Sequence, residues 1–423
     1  MVDAGKTFDA VAYINEPRWR SSRPGLERIT ELMARLGNPQ ENLRFIHVAG
    51  TNGKGSTCAF LASILQRAGY KTGLFTSPYI VEFSERIRID GLNIAPDDLR
   101  RVTLDVREQA EAMKDHPTEF ELMTAVALLH FAREKCDICV LEVGLGGLMD
   151  STNVIPAPEV CVITPIAFDH TDLLGGTLAK IANEKSGVVK AGSFVVSAAQ
   201  ESEAAAVLEG ACDRCGCDLA YVDADEVQGT PLDFSYAGLR NLRIGLLGSY
   251  QTQNAALAIE AVRALQGRGF VVDDKAIRDG LAKTYWPGRF EVVAHDPAFI
   301  VDGGHNPQGA RALIDSLALN FPGSKPVFLM GVLKDKDFTC MVDAIAPLAA
   351  AFVCIAPPNP RALPANELAC VIRQSPALGQ DAPVEVAQSI AHGVERARAL
   401  AGPDGIVCAC GSLYSIADIM SAI

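Results

Sequence analysis

Long apolar runs are missing from this chain: no uncharged hydrophobic stretch reaches the roughly 18 residues that a membrane-spanning helix needs. A charged-then-apolar leader is missing as well between Met1 and Arg20, so no secretory signal is expected. Positive charge is in short supply, 38 Lys and Arg against 51 Asp and Glu for a net charge of -13. An acidic field of that size excludes a broad nucleic-acid or anionic-membrane surface, so neither partner is expected. Any anionic ligand must therefore meet cations gathered at one place. Internal repeats and low-complexity segments are also lacking. Cys212, Cys215 and Cys217 form a C-x-x-C-x-C triplet, but no second Cys or His pair follows at finger-like spacing. A helix end and turn is the plainer reading there, with metal binding as the alternative.

What is present is a chain of 423 residues, 49% hydrophobic and 21% charged, more than one core usually organises. Two domains are expected. Cys139, Cys161, Cys354, Cys408 and Cys410 sit inside apolar strand-like runs, which suits reduced, buried thiols and a cytoplasmic protein. From Leu43 onward short β-branched or apolar runs (LRFIHVAG, KTGLFTSP, ICVLEVGLG, EVCVITPIAF) alternate with helix-length segments beginning near Lys54, Asp97 and Thr118. That alternation predicts an α/β fold with a mostly parallel sheet covered by helices on both faces. A polar, Gly-containing stretch from Tyr285 to Pro297 precedes a fresh strand, AFIVDGGHNP, and a second βα series. The boundary is expected near Ala294, giving a nucleotide-binding domain over 1–294 and a smaller Rossmann-like domain over 295–423.

The sharpest local signal is Gly50-Thr51-Asn52-Gly53-Lys54-Gly55-Ser56-Thr57, directly after an apolar strand and before CAFLASILQRAG. Glycines let backbone N–H groups approach a phosphate, the helix N-terminus adds positive potential, and Lys54 supplies a point charge. A nucleoside triphosphate is expected here. The spacing departs from G-x-x-x-x-G-K-[ST], since Gly55 occupies the place where a magnesium-binding hydroxyl usually falls.

The string GTNGKGST resembles the loop of the folylpolyglutamate synthase and dihydrofolate synthase family within the Mur ligases. Other stretches agree with that family in order: TSPY with ERIRIDG, TEFE, LEVGLGG with DSTN, DHTDLLG, IANEKSGV, QTQNAALA, PGRFE, DGGHNP and LKDKDF. The similarity runs over nearly the whole chain. It implies a P-loop-type Mur ligase ATP-binding domain followed by the Rossmann-like domain. It also implies an ATP-dependent ligase that adds L-glutamate to a folate carboxylate through an acyl phosphate, and that takes dihydropteroate too. The chain would act as a monomer on small-molecule substrates.

The resemblance also implies roles, which chemistry supports in part. Glu142 closes an apolar strand, where parallel sheets bind ligands; with Ser77 and His170 it is expected to hold magnesium, two ions in all. Asp169 beside His170 would fix the imidazole tautomer. Taken alone, a histidine at His170 is more often a satisfied structural group, and a turn hydroxyl before Pro78 is the alternative for Ser77. Lys185 matches a lysine that carbon dioxide carbamylates, which requires a neutral amine that burial would favour. Lys54, Glu142, His170 and Lys185 are the expected catalytic residues. Asn254, Arg289, Asp302 and His305 resemble residues that hold ATP from its far side, Arg289 by a bidentate phosphate clamp. Phe120 and Thr118 are expected at the folate, Phe120 by stacking, with core packing as its alternative. A monovalent cation belongs to the same implied set. Tyr79 and Leu148 replace the family's His and Arg, which removes a cation from the substrate side. Two rivals are another Mur-type amino-acid ligase, for which too little chain precedes Lys54, and a silent P-loop protein, which should lack the residues just named.

Overall fold

The computed structural model describes residues 8–19 and 23–423. The chain forms two compact units, one from the residues up to Glu226 with Asn254–Lys283, the other from Val227–Gln253 with Thr284–Ile423.

Among the described residues the first unit carries eight strands: β1 (Phe45–Ala49), β2 (Thr72–Phe75), β3 (Ile87–Ile89), β4 (Leu92–Asn93), β5 (Ile138–Glu142), β6 (Val160–Ile163), β7 (Phe194–Ser197) and β8 (Leu219–Tyr221). Their order is β4-β3-β2-β5-β1-β6-β7-β8, parallel except where β3 meets β2 and β4. β1 lies between β5 and β6 and is buried along its whole length, the place for the near-continuous apolar run that a doubly covered strand requires. His47 alone interrupts that run.

Helices enter the site through identifiable caps. Thr118 caps helix Glu119–Arg133 in a reciprocal box with Glu121, and Arg28 pairs with Glu121 at 3.1 Å. Thr177 caps helix Leu178–Ser186, which carries Lys185. Helix Ser202–Cys215 ends at Gly216, at φ 64, and the Cys217 N–H bonds back to the Cys212 carbonyl at 3.0 Å. The cysteine triplet is thus a helix end and turn, its thiols donating to the Val189 and Lys190 carbonyls at 3.5 and 3.1 Å. Helix Asp274–Lys283 packs on the phosphate-loop helix Lys54–Arg67, with Ser63 Oγ donating to the Gly280 carbonyl at 2.8 Å.

The second unit holds an antiparallel sheet of β9 (Gln228–Thr230), β10 (Asp233–Tyr236) and β11 (Leu239–Leu242). Its larger sheet comprises β12 (Glu291–His295), β13 (Ala298–Val301), β14 (Val327–Met330), β15 (Ala351–Cys354), β16 (Val384–Val386) and β17 (Ile406–Cys410), in the order β12-β13-β17-β14-β15-β16. Tyr285 to Pro297, expected as the separator, instead carries β12, which pairs antiparallel with β13. The chain enters this unit at Thr284, about ten residues before Ala294, and Val227–Gln253 belongs to it too. An edge strand needs only one apolar face, so Val292 and Val293 among polar neighbours do not announce it.

Candidate active site

The phosphate loop starts where β1 ends. Gly50 sits at φ 141, and a Cβ there would fall 1.8 Å from Thr164 Oγ1. Gly53 sits at φ 90, and its Cβ would fall 2.5 Å from Asn254 Oδ1. Only glycine fits either position. The Thr51 N–H donates to the Pro165 carbonyl at 3.0 Å, and Thr51 Oγ1 both donates to the Ala167 carbonyl (3.1 Å) and accepts from its N–H (3.0 Å). The loop is thereby pinned to the chain leaving β6. Asn254, expected on the far side of ATP, belongs to the first unit and lies against the loop itself, because its helix is packed with that unit's core.

Two lysines converge at this point. Lys54 Nζ donates to the Gly50 and Thr51 carbonyls at 3.2 and 3.1 Å, and Lys185 Nζ donates to the same Gly50 carbonyl at 2.7 Å. Lys185 is only 4% exposed; burial first and the neighbouring Lys54 charge second push its amine down to about 7, while Asp169 and Asp150 pull the other way. Two lysine chains and a helix N-terminus gathered at one glycine-bounded loop make a nook that fits phosphate.

The carboxylate side lies on neighbouring strands. Glu142 ends β5 and is 5% exposed; its Oε2 accepts the Ser77 N–H at 3.0 Å across from the adjacent end of β2. His170 lies well past its strand: β6 stops at Ile163, because Pro165 cannot continue the ladder, and His170 follows as the N-cap of a short helix at φ 49. Its N–H donates to Asp169 Oδ1 at 2.9 Å, and its Nε2 lies 3.9 Å from that oxygen. Among the described residues no three His, Cys, Asp or Glu side chains gather into a closed metal cage. The donor chemistry, one carboxylate with a hydroxyl-bearing neighbour beside a phosphate nook, fits magnesium, which commonly takes one or two protein carboxylates and fills its remaining positions with waters and phosphate oxygens.

Phe120, expected at the folate, lies so close to Gly144 that a Cβ there would meet the ring at 2.5 Å. Phe120 also packs tilted against Phe75, centroids 5.9 Å apart, so part of the ring serves the core. Thr118 is buried as a helix cap. Leu148 is 37% exposed, its N–H held by the Glu184 carbonyl at 2.8 Å. Tyr79 lies under the Arg86 guanidinium at 4.9 Å.

In the second unit, Asp302 follows β13 and is 3% exposed. Its carboxylate accepts from the Phe290 N–H (2.9 Å), the Gly304 N–H (2.7 Å) and the Tyr250 hydroxyl (3.0 Å). Burial raises its pKa, against the pull of Arg289. Asp302 thus ties the segments bearing Arg289 and His305 together, and His305 Nδ1 lies 2.9 Å from the Gly303 carbonyl.

Residues 48–262 match the Mur ligase middle domain and residues 288–413 the Mur ligase glutamate ligase domain. The chain is 37% identical to the Bacillus subtilis dihydrofolate synthase/folylpolyglutamate synthase, covering 97% of each. It belongs to that Mur ligase family. The Escherichia coli member is 32% identical over 98% of this chain and 94% of its own. Escherichia coli FolC in complex with DHPP and ADP superposes with a TM-score of 0.87 at 31% identity, covering 98% and 97% of the two chains. A bifunctional folylpolyglutamate synthase/dihydrofolate synthase with Mn, AMPPNP and L-glutamate bound gives 0.86 at 29% identity, with 98% of both covered. The mixed α/β fold, two domains and ligase class expected from the sequence agree with these relatives, and the rival readings are not favoured.

Several buried polar residues bonded to the candidates or to one another escaped the sequence reading of this Mur ligase chain. Tyr250 reaches Asp302 from 52 residues away, a separation no local pattern spans. Asp150 and Thr152 stand in the quoted string DSTN, whose Asp-x-Thr spacing already signals an Asx turn. His47 was legible only as the polar break in an apolar strand.

Proposed function

We propose that this ligase joins the amine of L-glutamate to a folate-type carboxylate, accepting both reduced folates and dihydropteroate and converting ATP to ADP and phosphate. The observation that carries the reading is the Gly50 carbonyl shared by Lys54 and Lys185 at the mouth of a glycine-bounded loop. The acceptor carboxylate attacks the terminal phosphoryl group and ADP leaves; the glutamate amine then attacks the acyl carbon and phosphate leaves. The N-terminus of helix Lys54–Arg67 and the Lys54 charge orient the nucleotide and spread the transferred negative charge. Glu142, Ser77 and His170 would hold divalent metal, which supplies charge neutralisation on the phosphates. Asn254 braces the loop at Gly53; Arg289, Asp302 and His305 belong to the proposed nucleotide-binding set, with Asp302 tying the Arg289 and His305 segments together.

Lys185 completes the metal side as a carbamate, and its amine, lowered by burial, supports this. Phe120 stacks on the flat ring of the folate beside the Thr118 cap. A monovalent cation, a monomeric state and a cytoplasmic location belong to the same proposal; the twelve free cysteines suit a reducing compartment. Among the described residues no helix is long and apolar enough to cross a membrane. Glutamate-dependent ADP release, measured with dihydropteroate and tetrahydrofolate side by side, tests the proposal: release with neither substrate above the glutamate-free background ends it.

A further inference from the structure

We propose that His47 is a positioning residue, fixing the substrate-side loop Gly144–Asp150 to the strand that carries the phosphate loop through a relay of Thr152 and Asp150. The inference rests on the ligase reading above for its functional meaning.

An imidazole in the middle of a fully covered strand is costly unless it is hydrogen-bonded. His47 is 0% exposed, and its Nε2 lies 2.8 Å from Thr152 Oγ1. Its Nδ1 has no hydrogen-bond partner among the described residues. The Thr152 hydroxyl in turn bonds Asp150 Oδ1, which also accepts the Thr152 N–H at 3.0 Å, while Asp150 Oδ2 accepts the Leu145 N–H at 2.9 Å. The Asp150 carboxylate is the acceptor in every one of these bonds. The single hydroxyl proton of Thr152 therefore points at Asp150, and its oxygen is left to accept from His47. That direction fixes the Nε2–H tautomer of His47. Burial, with Lys190 nearby, pushes the imidazole down to about 3, so the ring stays a neutral donor.

The relay ends on functional ground at both ends. His47 stands three residues before Gly50 on one strand. Asp150 closes the loop that starts just past Glu142 and presses Gly144 against Phe120. The next residue, Ser151, bonds Thr124 Oγ1 at 2.8 Å, which donates to the Phe120 carbonyl at 2.8 Å. One buried chain thus sets the substrate loop and the Phe120 helix relative to the phosphate loop.

The test compares His47→Leu and Thr152→Val, which break the relay, with His47→Gln and Thr152→Ser, which keep a donor or hydroxyl in place. Initial rates are taken with tetrahydrofolate and ATP varied separately, and amide exchange is followed at Leu145 and Thr152. The breaking variants should raise KM for tetrahydrofolate about tenfold, leave KM for ATP within about twofold, and speed both amides, while the keeping variants recover most of each change. Equal shifts in both KM values, a Gln variant no better than Leu, or unchanged exchange at the two amides would overturn the proposal. A wild-type enzyme without glutamate-dependent ADP release would sink the ligase reading instead, and the exchange measurement would still judge the relay.

Discussion

Lys54 and Lys185 donate to one backbone oxygen, the Gly50 carbonyl, from 3.2 and 2.7 Å. Two like charges are held together only by an anion or by one of them giving up its charge, and the structure favours the second for Lys185, whose amine falls from 10.5 to about 7. Below about pH 7 that lysine is an ammonium; above it, a neutral amine able to add carbon dioxide with loss of one proton.

Carbon-13 bicarbonate should therefore label Lys185 as a carbamate at pH 8, with the carbonyl signal fading as pH falls through 7. Lys185→Ala should lose the signal and most turnover, and a small added carboxylate should restore part of the rate. A labelled signal that persists in Lys185→Ala would assign the carbamate elsewhere.

Lys54→Ala and Glu142→Ala should each reduce kcat by about 10²–10³-fold, since each removes charge placement from the same phosphoryl transfer. Circular dichroism should show both folded. Rates near wild type in either variant would remove that residue from the ATP site.

Gly53→Ala places a Cβ 2.5 Å from Asn254 Oδ1 at φ 90, costing about 1–3 kcal/mol of strain. ADP binding by calorimetry should weaken about tenfold or more. Adding Asn254→Ala should recover part of the loss, because the steric share is relieved while the backbone share remains; strict additivity of the two changes would contradict the contact.

His47 has a folded pKa of about 3 against an ordinary 6.5, so its neutral form is the native one. The stability it contributes is complete above pH 6.5 and is lost as pH falls from there towards 3, because the unfolded chain takes the proton first. The melting temperature should drop on acidification from pH 7 to 5, with a shallower slope in His47→Gln. Parallel slopes in the two proteins would show that His47 is not the group responsible.

Thr118→Ala should cost about 1 kcal/mol of stability through loss of the cap on helix Glu119–Arg133, and Thr118→Ser should cost little. If Thr118 serves the folate only by capping, the Ser variant keeps its KM for tetrahydrofolate. A raised KM in a fully stable Ser variant would show direct contact.

The sequence by itself determined the alternating βα order, the glycine-bounded loop with Lys54, the strand-end carboxylate of Glu142 and the helix start near Thr118, because each is written within a few residues by periodicity or backbone freedom. The family strings carried the remaining candidates. Tertiary structure alone decided that Asn254 braces Gly53, that Lys185 shares a carbonyl with Lys54, that Asp302 is engaged by Phe290 and Tyr250, and that β12 begins the second sheet. It also joined His47 to Thr152 across 105 residues. Such pairings depend on which strands end side by side and which side chains burial forces to find partners, and neither leaves a mark in the local pattern of the chain.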